Sequence, residues 1–217
     1  MVFLFVILIS NNISSENKVY NNKISYDDII DEKNDFDNVR VPKSSGYWDD
    51  FTFIHIDGNW TVANETDWCN GDGSYANPFV IENITIDASS SPTGCGILIN
   101  NSRNYYFTIK NCTILNANTG SSSLSWDLYD QLVAGITLIN SSKGTIDNNT
   151  LDGGLNACGI LVIDGSSNIS ITNNFAFSNE KHGIMVANYS YDIYIDNNTA
   201  HSNYNIYSRG ICLIEGC

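Results

Sequence analysis

The chain has 217 residues, of which 42% are hydrophobic and 16% are charged, and its formal net charge at pH 7 is −14. This length and apolar content suffice for one domain with its own core. The acidic balance excludes nucleic acid as a partner, because binding to the phosphate backbone requires clustered Lys and Arg. Many Asn, Ser, Thr, Ile, Tyr and Gly residues, with few helix formers, predict an all-β fold.

The N-terminal residues predict export. Residues 1–10 contain the apolar run Val2–Ile9, which is too short to span a bilayer, for which about 20 apolar residues are needed. The run is typical of the hydrophobic part of a secretory signal, although no Lys or Arg precedes it, and a buried strand is the alternative. Residues 11–50 are polar and acidic and are predicted to form a flexible linker. We therefore expect an extracellular or cell-surface protein that does not itself span the membrane.

Two apolar segments and a loop open the predicted domain, residues 51–217. The segments "FTFIHID" and "FVIENITID" alternate apolar and polar residues and predict strands. The loop between them contains Trp60, Trp68 and Tyr75. We expect this loop to cover the open first coil of the domain and to prevent edge pairing there.

A repeat dominates the rest of the chain. The phrase Gly-Ile-x-(Ile/Leu/Val) recurs, and a second phrase, Ile-x-Asn-(Asn/Cys)-(Thr/Phe), keeps the same spacing. The unit is about 24 residues long, with one insertion at residues 116–134 that is expected to protrude. The first phrase starts at Gly96, Gly135, Gly159, Gly183 and Gly210.

Each phrase has the period of a β-strand, so that Ile160 and Val162 are predicted to face inward and Leu161 outward. One coil of three short strands cannot stabilise itself, and coils must therefore stack and pair in parallel. The predicted fold class is all-β, a right-handed parallel β-helix, with the handedness expected of parallel crossovers. Because Cys217 falls within a unit, we expect a truncated C-terminus.

The repeat places six asparagines in two columns, Asn148, Asn173 and Asn197, and beside them Asn149, Asn174 and Asn198. Neighbouring amides in such columns can hydrogen-bond along the stack and tolerate a left-handed turn. One column is predicted to face inward at a corner and the other to face solvent. We interpret both as structural, and the glycosylation pattern that they create as a by-product.

Six cysteines occur, with no CxxC pair and no spacing typical of zinc sites. Export would permit disulfides. We predict a bridge between Cys69 and Cys112 that ties the N-terminal loop to the first coil. The alternatives are a Cys69–Cys95 bridge, or Cys112 as a buried thiol.

The pattern Gly-Ile-x-Leu-x-x-Ser, combined with Ile-x-Asn-Asn, resembles that of right-handed parallel β-helix repeat proteins. It resembles in particular the NosD-like group, named for a periplasmic copper-associated protein, within the pectate-lyase-like superfamily. The stretch Asp67–Asp87 is similar to the opening segment of such domains in large archaeal surface proteins. The resemblance implies the fold, whereas function must be argued from the site, because this fold hosts lyases, hydrolases, epimerases, adhesins and inert stalks.

Catalysis on polysaccharides would require paired carboxylates, or a base with a bound cation, on adjacent coils. The repeat places Asp147 and Asp196 in one outer column and Asp164 in another. Asp147 and Asp196 are two coils, or about 9.6 Å, apart, and an ordinary polar outer face is the alternative interpretation. The candidate arginines of a lyase-type site are Arg40, Arg103 and Arg209. We do not predict an enzyme, and a carbohydrate-active enzyme is the alternative.

Copper handling is suggested by the resemblance alone. Copper sites combine Cys, Met and His, and the repeat places Cys158 and His182 on neighbouring coils about 5 Å apart. A chance pair at a corner is the alternative. No cofactor is predicted, although the acidic excess would suit a divalent cation such as calcium.

Three tyrosines near the end of the repeat, Tyr189, Tyr191 and Tyr194, are predicted to face outward and to bind glycans or a partner surface. The predicted function is an exported, non-catalytic β-helix module that serves as a surface scaffold or stalk or contacts glycans. Its expected partners are cell-surface glycans or envelope proteins. A carbohydrate-active enzyme and a periplasmic-type copper-handling protein are the alternatives.

Overall fold

A computed structural model describes residues 48–118, 133–152, 154–201, 208–214 and 216–217. Within these residues, three six-stranded sheets run along the chain side by side. Successive strands of the chain alternate among the sheets, except for two consecutive strands near the N-terminus that pair with each other, so that each sheet otherwise gains one strand per coil. Strands are numbered in chain order.

The Gly-Ile sheet includes the strands that contain or follow the repeat glycines. In stacking order its strands are β2 (Ile54–Asp57), β6 (Ile97–Asn100), β9 (Ala134–Ile139), β12 (Cys158–Ile163), β15 (Ile184–Val186) and β18 (Ile211–Leu213). The Asn sheet includes the strands that precede the paired asparagines. Its strands are β3 (Cys69–Asn70), β4 (Phe79–Glu82), β7 (Phe107–Lys110), β10 (Ser142–Asp147), β13 (Ser167–Thr172) and β16 (Tyr191–Asp196).

The short-strand sheet closes each coil. Its strands are β1 (Trp48–Phe51), β5 (Ile84–Asp87), β8 (Thr113–Leu115), β11 (Thr150–Asp152), β14 (Phe175–Phe177) and β17 (Thr199–His201). Every pairing in the three sheets is parallel except that of β3 with β4. The one α-helix of the described residues is Trp60–Ala63, and a 3₁₀ helix covers Ala88–Ser90. The predicted fold class, an all-β parallel β-helix, is confirmed.

The register follows the sequence repeat. Ile160 pairs with Ile136 on one side and with Ile184 on the other, and Ile171 pairs with Ile146 and Ile195. These inward columns form one continuous core in which the central isoleucines are fully buried. Leu161, as predicted, faces the opposite side of its sheet and packs in a separate cluster. Burial of the isoleucine columns is therefore what the repeat encodes.

The corners of the coils use asparagine because they require a left-handed backbone. Asn111, Asn148, Asn173 and Asn197 have φ values of 55°, 53°, 58° and 52°. Among non-glycine residues, Asn and Asp tolerate this region best. A second corner, after the Gly-Ile sheet, shows the same preference, with positive φ at Asn101, Asn140, Asp164 and Asn188.

The repeat glycines are needed for close packing between coils. A Cβ atom on Gly159 would lie 2.6 Å from the carbonyl oxygen of Gly183 and 2.7 Å from Cβ of Ala176. A Cβ on Gly183 would meet the carbonyl oxygen of Gly210 at 2.7 Å. Each glycine thus admits the backbone of the next coil, which explains why this position stays glycine throughout the repeat.

The N-terminal loop covers the first coils, as predicted, through its two tryptophans. Trp60 is fully buried and stacks at 5.2 Å on both Phe79 and Phe107, while its indole N–H donates to Ser102 Oγ. Trp68 packs edge-on against Phe51 at 6.4 Å. Tyr75 is 82% exposed and packs edge-on against Tyr106 at 5.3 Å.

Several predictions concern the N-terminal segments and the insertion. The first strand begins at Trp48, inside the predicted linker 11–50. The predicted signal segment 1–10, the rest of that linker and residues 119–132 of the insertion lie outside the described residues. Within the described part of the chain, no helix has the length and apolar character required to cross a membrane.

Candidate functional site

The outer face of the Asn sheet carries two rows of polar side chains. One row runs Thr108, Thr145, Ser170 and Tyr194, and the other runs Lys110, Asp147, Thr172 and Asp196. Lys110 forms an ion pair with Glu82 at 3.1 Å. Hydroxyl and carboxylate groups therefore lie side by side along the stack, next to an exposed aromatic ring.

The candidate carboxylates do not converge on this face. Asp147 and Asp196 pair with opposite sides of Thr172, so two strand spacings, about 9.6 Å, separate their backbones. Asp147 Oδ1 accepts hydrogen bonds from Thr172 Oγ1 and Asn173 Nδ2, both at 2.7 Å. Asp164 lies at the other corner and accepts from Asn188 Nδ2. Both Asp147 and Asp164 thus bind amides of the next coil.

Two of the candidate arginines bind neighbouring groups of the chain itself. Arg103 donates from Nε to Asn140 Oδ1 at 2.6 Å and from Nη2 to the Gly165 carbonyl at 2.8 Å. Arg209 donates from Nη1 to Cys212 Sγ at 3.3 Å. Arg40 lies outside the described residues. The structure therefore brings neither described arginine together with Asp147 and Asp196.

Among the described residues of the last full coil, the three candidate tyrosines are the most exposed aromatic residues. Tyr189, Tyr191 and Tyr194 are 72%, 54% and 60% exposed. Tyr191 and Tyr194 share β16, and Tyr194 pairs with Ser170 of the preceding coil. The Tyr189 ring packs against Gly216, where a Cβ would lie 2.9 Å from the ring. We call these three residues the tyrosine face.

The asparagine columns differ in environment. Asn149 and Asn174 are each 1% exposed, whereas Asn148, Asn173 and Asn197 face solvent. Asn149 Nδ2 donates to Asn174 Oδ1, and Asn174 Nδ2 donates to Asn198 Oδ1, both at 3.0 Å. In the outer column, Asn197 donates to Asn173 at 2.7 Å, but Asn173 donates to Asp147 instead of Asn148.

A column of buried serines was missed by sequence reasoning. Ser102, Ser141, Ser166 and Ser190 are each at most 1% exposed and lie inside the corner after the Gly-Ile sheet. The Ser102 N–H donates to Ser141 Oγ at 3.2 Å, and the Ser141 N–H donates to Ser166 Oγ at 3.0 Å. The serine of the Gly-Ile-x-Leu-x-x-Ser pattern is the sequence signal that could have indicated this column. An Asn or Asp one or two residues before each serine adopts the left-handed backbone.

The predicted Cys69–Cys112 disulfide is not formed, and both residues are buried thiols. Cys69 lies on β3 and Cys112 follows β7, and β4 lies between these strands. Two strand spacings of about 4.8 Å exceed the roughly 7 Å between Cα atoms that a disulfide tolerates. The Cys112 thiol instead donates to the Lys110 carbonyl at 3.3 Å, and burial raises its pKa to about 12. Cys95, the alternative partner, lies 3.3 Å from Thr137 Oγ1.

Cys158 and His182 lie on neighbouring coils, but their side chains have different partners. The Gly159 N–H donates to the His182 carbonyl at 3.0 Å, which makes the two backbones adjacent. His182 Nδ1 accepts from the Arg209 N–H at 3.1 Å, on the coil beyond it. Burial raises the pKa of Cys158 to about 11. Burial, then the charges of Arg209 and Lys181, lower the pKa of His182.

Three parallel sheets stacked coil on coil define the class of this protein: it is a parallel β-helix protein. Residues 123–215 match the model of a family described as periplasmic copper-binding protein (NosD). The resemblance of the repeats to the NosD-like group is thereby confirmed over that part of the chain. No curated protein and no solved structure matches the chain.

Copper, which the family description implies, does not fit the Cys158–His182 pair. His182 Nδ1 accepts a hydrogen bond from the coil on the far side from Cys158, and Cys158 packs in a buried apolar cluster. The described part of the chain contains no group of three or more His, Cys, Asp or Glu residues close enough together to hold a metal. Calcium binding stays a prediction. Cys158, Met185 and Cys212 belong to one buried cluster on the same sheet, but Met185 is in register with Leu161 and Cys212 and not with Cys158.

Proposed function

We propose that the chain is an exported, non-catalytic β-helix scaffold whose tyrosine face binds neutral glycans at a cell surface. The observation that carries this proposal is the exposure of Tyr189, Tyr191 and Tyr194 on one short stretch of the last full coil. An envelope protein carrying aromatic or amide groups is the alternative partner of the same surface.

The chemistry of the tyrosine face suits a sugar. Exposed aromatic rings offer flat apolar surface for the C–H face of a pyranose, and the phenol hydroxyl offers a hydrogen bond. Ser170, in register with Tyr194, and Asp196, two residues further along β16, add groups that can bind sugar hydroxyls. Asn197 adds an exposed amide that already donates to Asn173 and keeps its carbonyl oxygen as an acceptor.

The charge of the chain favours a neutral glycan over an anionic one. The net charge is −14, and Asp192 and Asp196 lie on the same strand as Tyr191 and Tyr194. Uronate or sulfate groups would be repelled by this field. The same argument disfavours the uronate polymers that a lyase or epimerase would use.

The scaffold part of the proposal is supported by the hydrogen bonds of the outer carboxylates. Asp147 and Asp164 each bind side chains of the following coil, which is a structural use of these groups. A β-helix of stacked coils is a rigid rod with nearest-neighbour packing, and such a rod presents surface residues at fixed spacing.

The test is binding of the full chain to an array of neutral and anionic glycans, followed by calorimetry on the glycans retained. We expect Tyr191→Ala and Tyr194→Ala to weaken binding by about tenfold or more, or about 1.4 kcal/mol. Tyr75→Ala, which removes an exposed tyrosine from the N-terminal loop, is the matched control and should bind normally. Retention of anionic glycans only, or equal binding by all three variants, would contradict the proposal.

A reducing-sugar assay on uronate polymers and neutral glycans distinguishes the non-catalytic scaffold from a carbohydrate-active enzyme. Product release that is lost in Asp147→Asn would establish the carbohydrate-active alternative. We expect no release from either class of polymer.

A further inference from the structure

The outer side of the short-strand sheet carries a cluster of aromatic rings that is separate from the tyrosine face. Phe175 and Phe177 of β14 flank Ala176, whose side chain is buried in the core, so both rings project to the outer side. Their centroids lie 4.7 Å apart, and the His201 ring of β17 lies 5.2 Å from Phe175 and 6.3 Å from Phe177. Phe175 is 39% exposed. We call Phe175, Phe177 and His201 the aromatic patch.

Phe175 differs from the residues that the repeat places at the same position. Thr113, Thr150 and Thr199 occupy this position on other coils and lie in the register column of Phe175. A threonine suits an exposed strand position without any partner. The ring of Phe175 stays exposed instead of filling the core, so packing of the coils does not explain it. Aromatic side chains are enriched in protein interfaces, and the departure from the repeat therefore indicates an interaction surface.

A carboxylate lies directly beside the aromatic patch. Asp152 of β11 is the register partner of Phe177, which places the two residues on one side of the sheet with backbones about 4.8 Å apart. Within the described residues, the one ion pair joins Lys110 and Glu82 on the Asn sheet. The Asp152 carboxylate therefore has no ion pair within that part of the chain, and its charge is available to a partner.

The charge around the aromatic patch is negative. In the described chain, the outer positions of β5, β8, β11, β14 and β17 include Asp87 and Asp152 but no Lys and no Arg. The formal net charge of −14 has the same sign. This field attracts a cationic partner and repels an acidic one.

An arginine side chain would use both the rings and the carboxylate. A guanidinium within about 6 Å of a ring centroid is attracted to the ring face, and its planar group of N–H donors matches a carboxylate. A guanidinium over the Phe177 ring would lie beside the Asp152 carboxylate on the neighbouring strand. The phenylalanine rings lack the hydroxyl groups by which the tyrosine face can hydrogen-bond a sugar.

We propose that the aromatic patch and Asp152 bind a basic segment of a partner protein, through an arginine side chain that stacks on the rings and pairs with the carboxylate. This surface gives the β-helix a second partner site, on a different sheet from the tyrosine face. It uses no residue of the tyrosine face and does not depend on glycan binding there.

The test is fluorescence anisotropy of the full chain with a labelled peptide of alternating Arg and Ser, compared with matched peptides that carry Lys or Glu instead of Arg. We expect the arginine peptide to bind more tightly than the lysine peptide and the glutamate peptide not to bind. Phe175→Thr restores the residue found on the other coils and should fold normally, which circular dichroism can check. Phe175→Thr and Asp152→Asn should each weaken binding of the arginine peptide by about threefold or more.

Tyr75→Ala and Asp192→Asn are the controls, because they remove an exposed ring and a carboxylate far from the aromatic patch in the sheet order. Both should bind the arginine peptide as the parent does. Failure of the parent to bind, or unchanged binding in Phe175→Thr, overturns the proposal. Equal losses in Asp152→Asn and Asp192→Asn would show attraction by net charge alone and would also overturn it. Glycan binding that is lost in Phe175→Thr would assign the patch to sugars instead.

Discussion

The carbonyl oxygen of the Asn174 side chain accepts two hydrogen bonds from Asn149 on the preceding coil, from the backbone N–H at 2.9 Å and from Nδ2 at 3.0 Å. Asn174 Nδ2 in turn donates to the Ile146 carbonyl at 2.9 Å. One buried amide therefore satisfies three polar groups of the coil that precedes it.

Replacement of Asn174 by Ala should lower the free energy of unfolding by about 1–3 kcal/mol, because it leaves buried donors and an acceptor without partners. Denaturant melts followed by circular dichroism measure this change. Asn173→Gly, which removes the solvent-facing amide beside it and tolerates the left-handed backbone there (φ 58°), is the control and should cost less. Equal effects of the two substitutions would show that the buried column has no special role.

Replacement of Gly159 by Ala should destabilise the chain by about 1–3 kcal/mol through overpacking. The added methyl would lie 2.6 Å from the Gly183 carbonyl oxygen, and backbone cannot easily move away. Ser170→Ala, on a half-buried outer position, serves as the control in the same thermal melts. A Gly159→Ala chain as stable as the parent would mean that the coils are spaced more widely than described.

Replacement of Trp60 by Ala should cost about 3–5 kcal/mol, the range for a buried tryptophan. The indole is fully buried between Phe79 and Phe107, so its loss opens the N-terminal end of the core. Tyr75→Ala removes an exposed ring from the same loop and should change stability by less than about 0.5 kcal/mol. A melt in which both variants behave alike would refute the assignment of Trp60 as the cover of the first coils.

Stability should fall as the pH falls below the ordinary histidine pKa of 6.5. Burial holds the pKa values of His182 and His55 below that value in the folded chain. The unfolded chain therefore takes up protons at a higher pH than the folded chain does. The part of the free energy of unfolding that is present above pH 6.5 is lost as the pH falls from 6.5 toward the lower pKa of the folded chain. His182→Gln should reduce the loss of stability that occurs between pH 7.5 and about pH 5.5. The double variant with His55→Gln should reduce this loss further. Thermal melts across this range that are identical for parent and His182→Gln would contradict the assignment.

The repeat made the fold predictable, because the spacing of Gly135, Gly159 and Gly183 and of the isoleucines fixes which residues stack. Ile160, Val162 and Leu161 face the sides that the period of two predicts. The buried serines were less visible, since serine is common on any polar turn and only its stacking shows that Ser141 and Ser166 are buried.

Side-chain direction at the corners could not be read from the sequence. The register placed Cys158 next to His182, yet the imidazole binds the Arg209 N–H on the following coil. The disulfide prediction was wrong for a topological reason, because the antiparallel strand β3 placed Cys69 beyond β4, a full coil away from Cys112. A local reversal of this kind breaks the repeat and leaves no periodic signal.

The parallel register of the Asn sheet determines how the coils stack and where the tyrosine face lies. It is tested most directly by disulfide trapping in a Cys217→Ser background. Thr145 and Ser170 are direct partners on adjacent coils, whereas Thr145 and Tyr194 are separated by one coil. Mass spectrometry of unreduced digests should find a cross-link in Thr145→Cys/Ser170→Cys and none in Thr145→Cys/Tyr194→Cys. Cross-linking of the second pair without the first would contradict the stacked β-helix.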